Sequence, residues 1–304
     1  MTGNIKKIFF VIIFIIITLL ISLIINFVTS DFNIELSDNV NVALIKINGP
    51  IMYGENGGIF SGDQRDAAAI SKEINSASED ESIDVILLDI NSPGGTVVAS
   101  KEISNAVKRS DKLVISLIKE VGASGAYWIA SQSDYIIADS MSITGSIGVI
   151  ASYLEFGGLL DEYGISYEKM IGGKYKDMGS PFRNLTLEER NLFQSKIDQI
   201  HEEFKFAVMK NRNLTQEEID ELGQGQFFLG IEAKENKLID ELGDKYLFEE
   251  LLKKKYNVTE IKYTQFEKEM TLIDAFFGKV ESSFYNVGQG IADSFKTEQR
   301  LKIK

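Results

Sequence analysis

The sequence predicts an α/β domain with substantial parallel strand pairing, and three observations predict it. Short apolar runs at Val40–Ile47, Ile83–Ile90 and Leu113–Ile118 alternate with segments of helical spacing at Asp66–Ala77 and Val97–Val107. Ile83–Ile90 is strongly apolar apart from Asp84 and Asp89, as a strand buried on both faces requires. The strand runs stop at turns of glycine and other small residues: Asn48-Gly49-Pro50, Asn91-Ser92-Pro93-Gly94-Gly95 and Gly122-Ala123-Ser124-Gly125.

Taken in order, the chain begins with Lys6 and Lys7 ahead of an uncharged apolar run, Ile8 to Phe27. Twenty residues at about 1.5 Å rise match a hydrocarbon core about 30 Å thick. Residues 8–28 are therefore expected to be a transmembrane anchor. Lysines before the run and acidic residues after it place 1–7 in the cytoplasm and the rest of the chain outside the cell membrane. The run is longer than a signal-peptide core and lacks a good cleavage site, so the anchor is expected to stay. Residues 29–39 read as a spacer, 40–264 as the main domain and 265–304 as a C-terminal tail. Glu55–Gln64 reads as a loop and Tyr135–Ala138 as a short strand. Thr186-Leu187-Glu188-Glu189 and Thr215-Gln216-Glu217-Glu218 are capping boxes that start helices, the first continuing through Phe206. Ile231–Asn236 and the stretch from Leu247 read as further helices.

Composition narrows the function. The chain has 304 residues, a formal charge of −13 and no cysteine. Its acidity, with no basic patch, argues against a nucleic-acid partner. Zinc–cysteine chemistry and disulfides are excluded, and neither a metal nor a cofactor is expected. The lone histidine, His201, has Glu202, Glu203 and Lys205 beside it and reads as a solvated helix face rather than a base.

Ser124 follows a strand and precedes a helix, flanked by glycine and alanine that would let a substrate approach its hydroxyl. A serine needs a base. The better candidate is Lys176, within Gly172-Gly173-Lys174-Tyr175-Lys176-Asp177-Met178-Gly179-Ser180-Pro181, because a lysine held in apolar surroundings can lose its proton near neutral pH. Exposed amides at Gly94-Gly95 could form half of an oxyanion hole, with the second donor from the helix start at Ser124, hence Gly125. Each feature alone has a plainer reading: a Pro-Gly-Gly turn joins a strand to a helix, a serine caps a helix, a lysine among glycines is a surface charge. Only their joint presence points to an enzyme. The turns are neither a phosphate-binding loop nor a dinucleotide fingerprint, and Ala126 breaks the Gly-x-Ser-x-Gly elbow.

The chain resembles the signal peptide peptidase A family of membrane-anchored serine proteases, in its short single-domain form. The resemblance rests on Asp89–Gly95, Gly122–Tyr127, Thr144-Gly145-Ser146-Ile147-Gly148, Gly173–Pro181 and Phe228–Ala233, in family order over about residues 40 to 245. It departs at Ala126 and Trp128, where glycine and tyrosine are usual. The resemblance implies a fold related to the Clp protease and crotonase group, built of repeated strand-strand-helix units. It implies Ser124 as nucleophile, Lys176 as general base, Gly95 as an oxyanion-hole amide and Ser146 as a support for the lysine amine. It implies peptide substrates, released signal peptides or short apolar segments near the membrane, and a homo-oligomeric ring whose serine and lysine can come from neighbouring subunits. Two other readings are an acyl-CoA-processing crotonase-like enzyme and a non-catalytic membrane scaffold.

Overall fold

A computed structural model of the chain describes residues 39–54 and 66–265, with Thr18 alone before them. The expected anchor, the Glu55–Gln64 loop and the tail after 265 lie outside the described residues. Among the described residues no helix is long and apolar enough to cross a membrane.

Elements follow in the order β1 (Asn39–Asn48), α1 (Ala67–Glu79), β2 (Val85–Ser92), α2 (Val97–Arg109), β3 (Leu113–Ala123), α3 (Gly125–Ser131), β4 (Tyr135–Ala138) and β5 (Ile143–Gly145). Then come α4 (Gly157–Glu162), α5 (Leu187–Asn211), α6 (Gln216–Leu222), β6 (Phe227–Leu229), α7 (Gly230–Glu235), β7 (Glu241–Leu242), α8 (Lys245–Tyr256) and β8 (Glu260–Gln265). Among the described residues, one compact unit comprises 41–248 and 263–265, and a small second one comprises 39–40 and 249–262, the end of α8 and the start of β8.

The larger unit is a mixed α/β domain around an open sheet in which β6, β5, β3, β2 and β1 lie side by side. All of these pairings are parallel except β5 with β6, as the alternation of strand and helix predicts. In β2, Val85 to Leu88 are all buried, which only a strand covered on both faces allows. Helices α1, α2 and α3 put Ile70, Ile74, Ile103, Ala106 and Ile129 into one apolar core with Ile45, Ile47, Ile86, Leu88 and Ile90. Each such aliphatic side chain contributes roughly 1.5–3 kcal/mol by leaving water.

Strand starts are fixed by a clasp that recurs between parallel neighbours. Asp84 gives its N–H to the Asn41 carbonyl, at 2.9 Å, and its carboxylate accepts the Asn41 N–H at 2.8 Å. Asp134 does the same to Val114, and Asp240 to Ile136. One carboxylate thus terminates each ladder at its amino end, where a backbone N–H would otherwise be orphaned. Arg212 holds the third clasp from the other side, with a two-pronged bond to Asp240 at 3.0 and 2.8 Å.

Two elements run beyond their expected ends. β3 continues past Ile118 to Ala123 because it changes partner, pairing with β4 along Ile115–Ile118 and with β5 along Val121–Ala123. α5 continues past Phe206 to Asn211, with Phe204 and Val208 buried on its inner face. Both capping boxes form as read, Thr186 with Glu189 and Thr215 with Glu218. α3 is buried along its whole length, and its Trp128 stacks on Phe204 of α5 at 4.6 Å between centroids and 5° between planes. Trp128→Ala is expected to lower the unfolding free energy by about 3–5 kcal/mol, measured by chemical denaturation. An unchanged midpoint would mean that this stack does not hold α3 in place.

Candidate active site

The carboxyl ends of β2 and β3 lie side by side, and the turns leaving them meet. Ser124 sits between β3 and α3 with φ 55° and ψ −125°, a backbone conformation that costs a non-glycine residue about 1–3 kcal/mol. It is held there from both sides. Its N–H donates to the Gly145 carbonyl at 2.8 Å, and its carbonyl accepts the Trp128 N–H at 2.9 Å.

The Ser92–Gly95 turn packs against this residue. Ser92 is fully buried and donates its hydroxyl to the Gly49 carbonyl at 2.6 Å, while accepting the Gly94 N–H at 3.1 Å. Gly94 has φ +94°, and a Cβ there would lie 2.6 Å from the Gly125 nitrogen and 3.0 Å from the Ser124 Cβ. Next to it, Ile51 bonds to the Gly94 carbonyl and the Thr96 N–H, at 2.9 and 2.8 Å. In a parallel bridge of this kind the intervening residue turns its own amide the other way. The Gly95 N–H therefore faces away from Ile51, and its nitrogen lies 3.3 Å from where a Cβ on Gly125 would stand. Among the described residues neither the Gly95 nor the Gly125 N–H is given to a protein acceptor.

A pocket of about 90 Å³ opens here, lined by Gly95, Ser124 and Gly125 and by the apolar Val97, Trp128, Val149, Ile150 and Phe204. Ser100 also lines it, through a buried hydroxyl. Ser146 stands one residue beyond the Gly145 carbonyl that holds Ser124; it too has positive φ, 51°, and its N–H donates to the Gln226 carbonyl at 2.9 Å. The structure thus brings Ser124, Gly95 and Gly125 together and places Ser146 alongside.

Lys176 is elsewhere. It is exposed and does not line the pocket, so within one chain the apolar surroundings expected for it are not found. The segment that carries it is nonetheless firmly held. The Asp177 carboxylate accepts from Arg183 Nε at 2.5 Å, Lys169 Nζ at 2.6 Å and the Tyr167 hydroxyl at 3.1 Å. Arg183 also spans the Glu189 carboxylate with bonds of 2.9 and 2.7 Å, and Glu189 closes the capping box of α5. These bonds, Arg183 foremost, hold both Asp177 and Glu189 down to about 2.

His201 is not the solvated residue that its charged neighbours suggest. It is half-buried, and its Nε2 lies 3.2 Å from the Ile147 carbonyl and 2.7 Å from the Gly223 carbonyl. Both partners are acceptors, so Nε2 carries the proton. The ring steadies the chain between Gly145 and the pocket-lining Gly148, and it does not itself line the pocket. Its position relative to Phe204 and Val208, three and seven residues on, is the helical period that marks it as inward-facing. Among the described residues no group of His, Asp and Glu could hold a metal ion.

The family model of peptidase family S49 matches residues 106–259. The chain belongs to this family. A relative from Methanocaldococcus jannaschii, named a putative protease, is 31% identical over 86% of this chain and 85% of its own. One from Enterococcus faecium, named a putative signal peptide peptidase SppA, is 31% identical over 81% of this chain and 72% of its own. The chloroplastic serine protease SPPA of Arabidopsis thaliana is 27% identical over 83% of this chain and 37% of its own. The S49 chain described here is accordingly a serine protease, and the acyl-CoA reading finds no support in these matches.

Two outcomes follow for the site. Gly94→Ala is expected to remove labelling of the protein by a serine-directed fluorophosphonate, because the new methyl meets the Gly125 nitrogen and the residue cannot hold φ +94° without strain. Labelling at the wild-type rate would show that the two turns are not in contact. The second concerns acid. Asp177 and Glu189 are depressed in the folded protein, so their bonds to Arg183 stabilise the segment above the ordinary carboxylate range near 4 and are lost as pH falls toward 2. Hydrogen-exchange protection of amides 174–186 should fall across that window, and Arg183→Gln should move the onset to higher pH. Protection that is flat with pH would show that the network does not hold this segment.

Proposed function

We propose that this S49 chain is a serine endopeptidase that cleaves released signal peptides or other short apolar segments near the membrane, with Ser124 as nucleophile and Lys176 as general base. The observation that carries this reading is Ser124 itself, a non-glycine residue locked at φ 55° beside two uncommitted amides and an apolar pocket. Backbone strain of this kind persists where the surroundings over-determine it, and it clusters at active sites. The name of the Enterococcus faecium relative supports the substrate class.

In the proposed reaction the neutral Lys176 amine takes the Ser124 proton as Oγ attacks the scissile carbonyl. The Gly95 and Gly125 amides receive the negative oxygen, and loss of one such donor in a serine protease costs about 3 kcal/mol. The lysine ammonium then protonates the leaving amine, and water repeats the sequence on the acyl-enzyme. Ser146 supports the amine. Val97, Trp128, Val149 and Ile150 make the pocket suited to an apolar substrate side chain.

Lys176 reaches Ser124 of a neighbouring copy in this reading, within a ring of subunits. Support comes from the exposure of Lys176 and of large apolar side chains in the segment that precedes it, among them Ile150, Leu154, Tyr163, Ile165 and Met170. So many exposed large apolar side chains in one segment favour its being covered by a partner. Covering it would also take the ammonium out of water and favour the neutral amine. Residues 8–28 anchor the chain with the protease domain, 40–264, outside the cytoplasm, 29–39 as spacer and 265–304 as tail. The domain is of the Clp protease and crotonase type, and the recurring aspartate clasp supports a repeated unit.

The test uses the full chain in detergent, a fluorogenic apolar peptide, and wild type beside Ser124→Ala and Lys176→Ala. Each variant alone should cleave at least about 10³-fold more slowly. Co-assembling the two variants in equal amounts should restore roughly a quarter of the sites, since a shared site needs one intact residue from each copy. Activity retained in Lys176→Ala would sink the dyad. Dead variants whose mixture stays dead would sink the sharing.

A further inference from the structure

The pocket beside Ser124 contains a second hydroxyl that the proposed reaction leaves idle. Ser100 lies on α2, is 1% exposed, and lines the pocket with Gly95, Ser124 and Gly125. Its backbone N–H donates to the Thr96 carbonyl at 3.0 Å, but among the described residues its Oγ has no hydrogen-bond partner. A helical serine ordinarily folds its hydroxyl back onto a carbonyl one turn earlier, and this one does not. A buried hydroxyl with no partner is rare in a folded protein and needs a reason.

Its placement supplies one. A Cβ built on Gly125 would overlap the Ser100 hydroxyl and lie 3.3 Å from the Gly95 nitrogen. The Ser100 oxygen therefore sits over the Gly125 Cα, on the side shared with the Gly95 amide. Glycine at 125 is what leaves the space open. Among the described residues the Gly95 N–H, the Gly125 N–H and the Ser100 O–H are thus three donors without an acceptor beside one pocket. What can satisfy the hydroxyl is a group that enters the pocket from outside.

We propose that Ser100 is a third donor of the oxyanion hole, giving its O–H to the substrate carbonyl oxygen as that oxygen becomes negative. No bond to Ser100 is made or broken; it keeps its proton and contributes a hydrogen bond that strengthens as charge develops. The inference rests on the reading of Ser124 as nucleophile, and it adds a catalytic residue to that site.

The full chain in detergent, as wild type, Ser100→Ala, Ser100→Cys and Ser124→Ala, is assayed with the fluorogenic peptide. Inhibition by a peptide aldehyde is measured as well, because the aldehyde's adduct with a serine presents an oxyanion. Thermal melting is followed on the same samples. Ser100→Ala should lower kcat on the order of 10²-fold with KM changed less than about two-fold, and should weaken the aldehyde by a factor comparable to that in kcat. Its melting temperature should hold or rise, since the change removes an unsatisfied buried group. Ser100→Cys puts a somewhat larger and much weaker donor in the same place and should also be slow. If Ser100→Ala fails to fold, the cysteine variant decides alone: low kcat supports the donor, and wild-type kcat overturns it. Unchanged kcat and aldehyde affinity in folded Ser100→Ala, with Ser124→Ala inactive, overturn the role of Ser100 and leave the nucleophile standing. Wild-type cleavage by Ser124→Ala overturns the nucleophile and this inference together.

Discussion

The backbone of Gly94 lies so close to Ser124 and Gly125 that no side chain fits between the two turns, and the architecture of the site depends on that contact. Each turn is the exit of a central parallel strand. Because β2 and β3 pair in register through Ile90 and Ile118 and again at Ser92 and Gly122, their ends arrive together. Between the two halves of that register β3 carries two extra residues, Lys119 to Val121 standing opposite Asn91 alone, whose side-chain oxygen accepts the Val121 N–H at 3.2 Å. With Ser92 tied to Gly49 and Gly94, the Gly95 amide is aimed by a chain of bonds that runs back into β1. In the proposed reaction these donors would be preorganised by the sheet, with no need to move when charge develops.

The rest of the larger unit limits how the sheet can relax. The aspartate clasps at Asp84, Asp134 and Asp240 fix the amino ends of three parallel pairs, so that sliding one strand by a residue would break two bonds at once. The carboxyl ends carry no such clasp. There the chain is held by small residues in close backbone approach, and that leaves the donors free.

Much of this was legible in the sequence because it is written locally. Small residues around Ser124 and the Pro93-Gly94-Gly95 turn identify places where backbone must come close, and a Thr-x-x-Glu box carries both halves of its own hydrogen bonding. What was not legible is non-local. The extension of β3 depends on a change of partner from β4 to β5, and nothing in residues 119–123 signals it. His201 was hidden by charged neighbours although its spacing to Phe204 and Val208 gives the inward face away. Ser100 looks like any polar residue on an amphipathic helix until Gly125 is placed against it. Lys176 was proposed from its motif, but the apolar cover it was expected to have is not supplied by its own chain.

Strain at Ser124 and the uncommitted donors around it weaken the fold at one place. The conformation of Ser124 costs about 1–3 kcal/mol, which is comparable to what one buried isoleucine contributes. α3 cannot relax this by unwinding its first turn, because Gly125, Ala126 and Tyr127 are all buried and the Tyr127 hydroxyl is bonded to the Leu238 carbonyl at 2.7 Å. The helix would have to leave its pocket to ease one residue, giving up Tyr127, Trp128 and Ile129 together. That exchange is unfavourable by several such side chains, so the strained serine persists. The apolar core around α3 therefore does more than stabilise the domain: it keeps Ser124 in the conformation that presents its oxygen to the pocket.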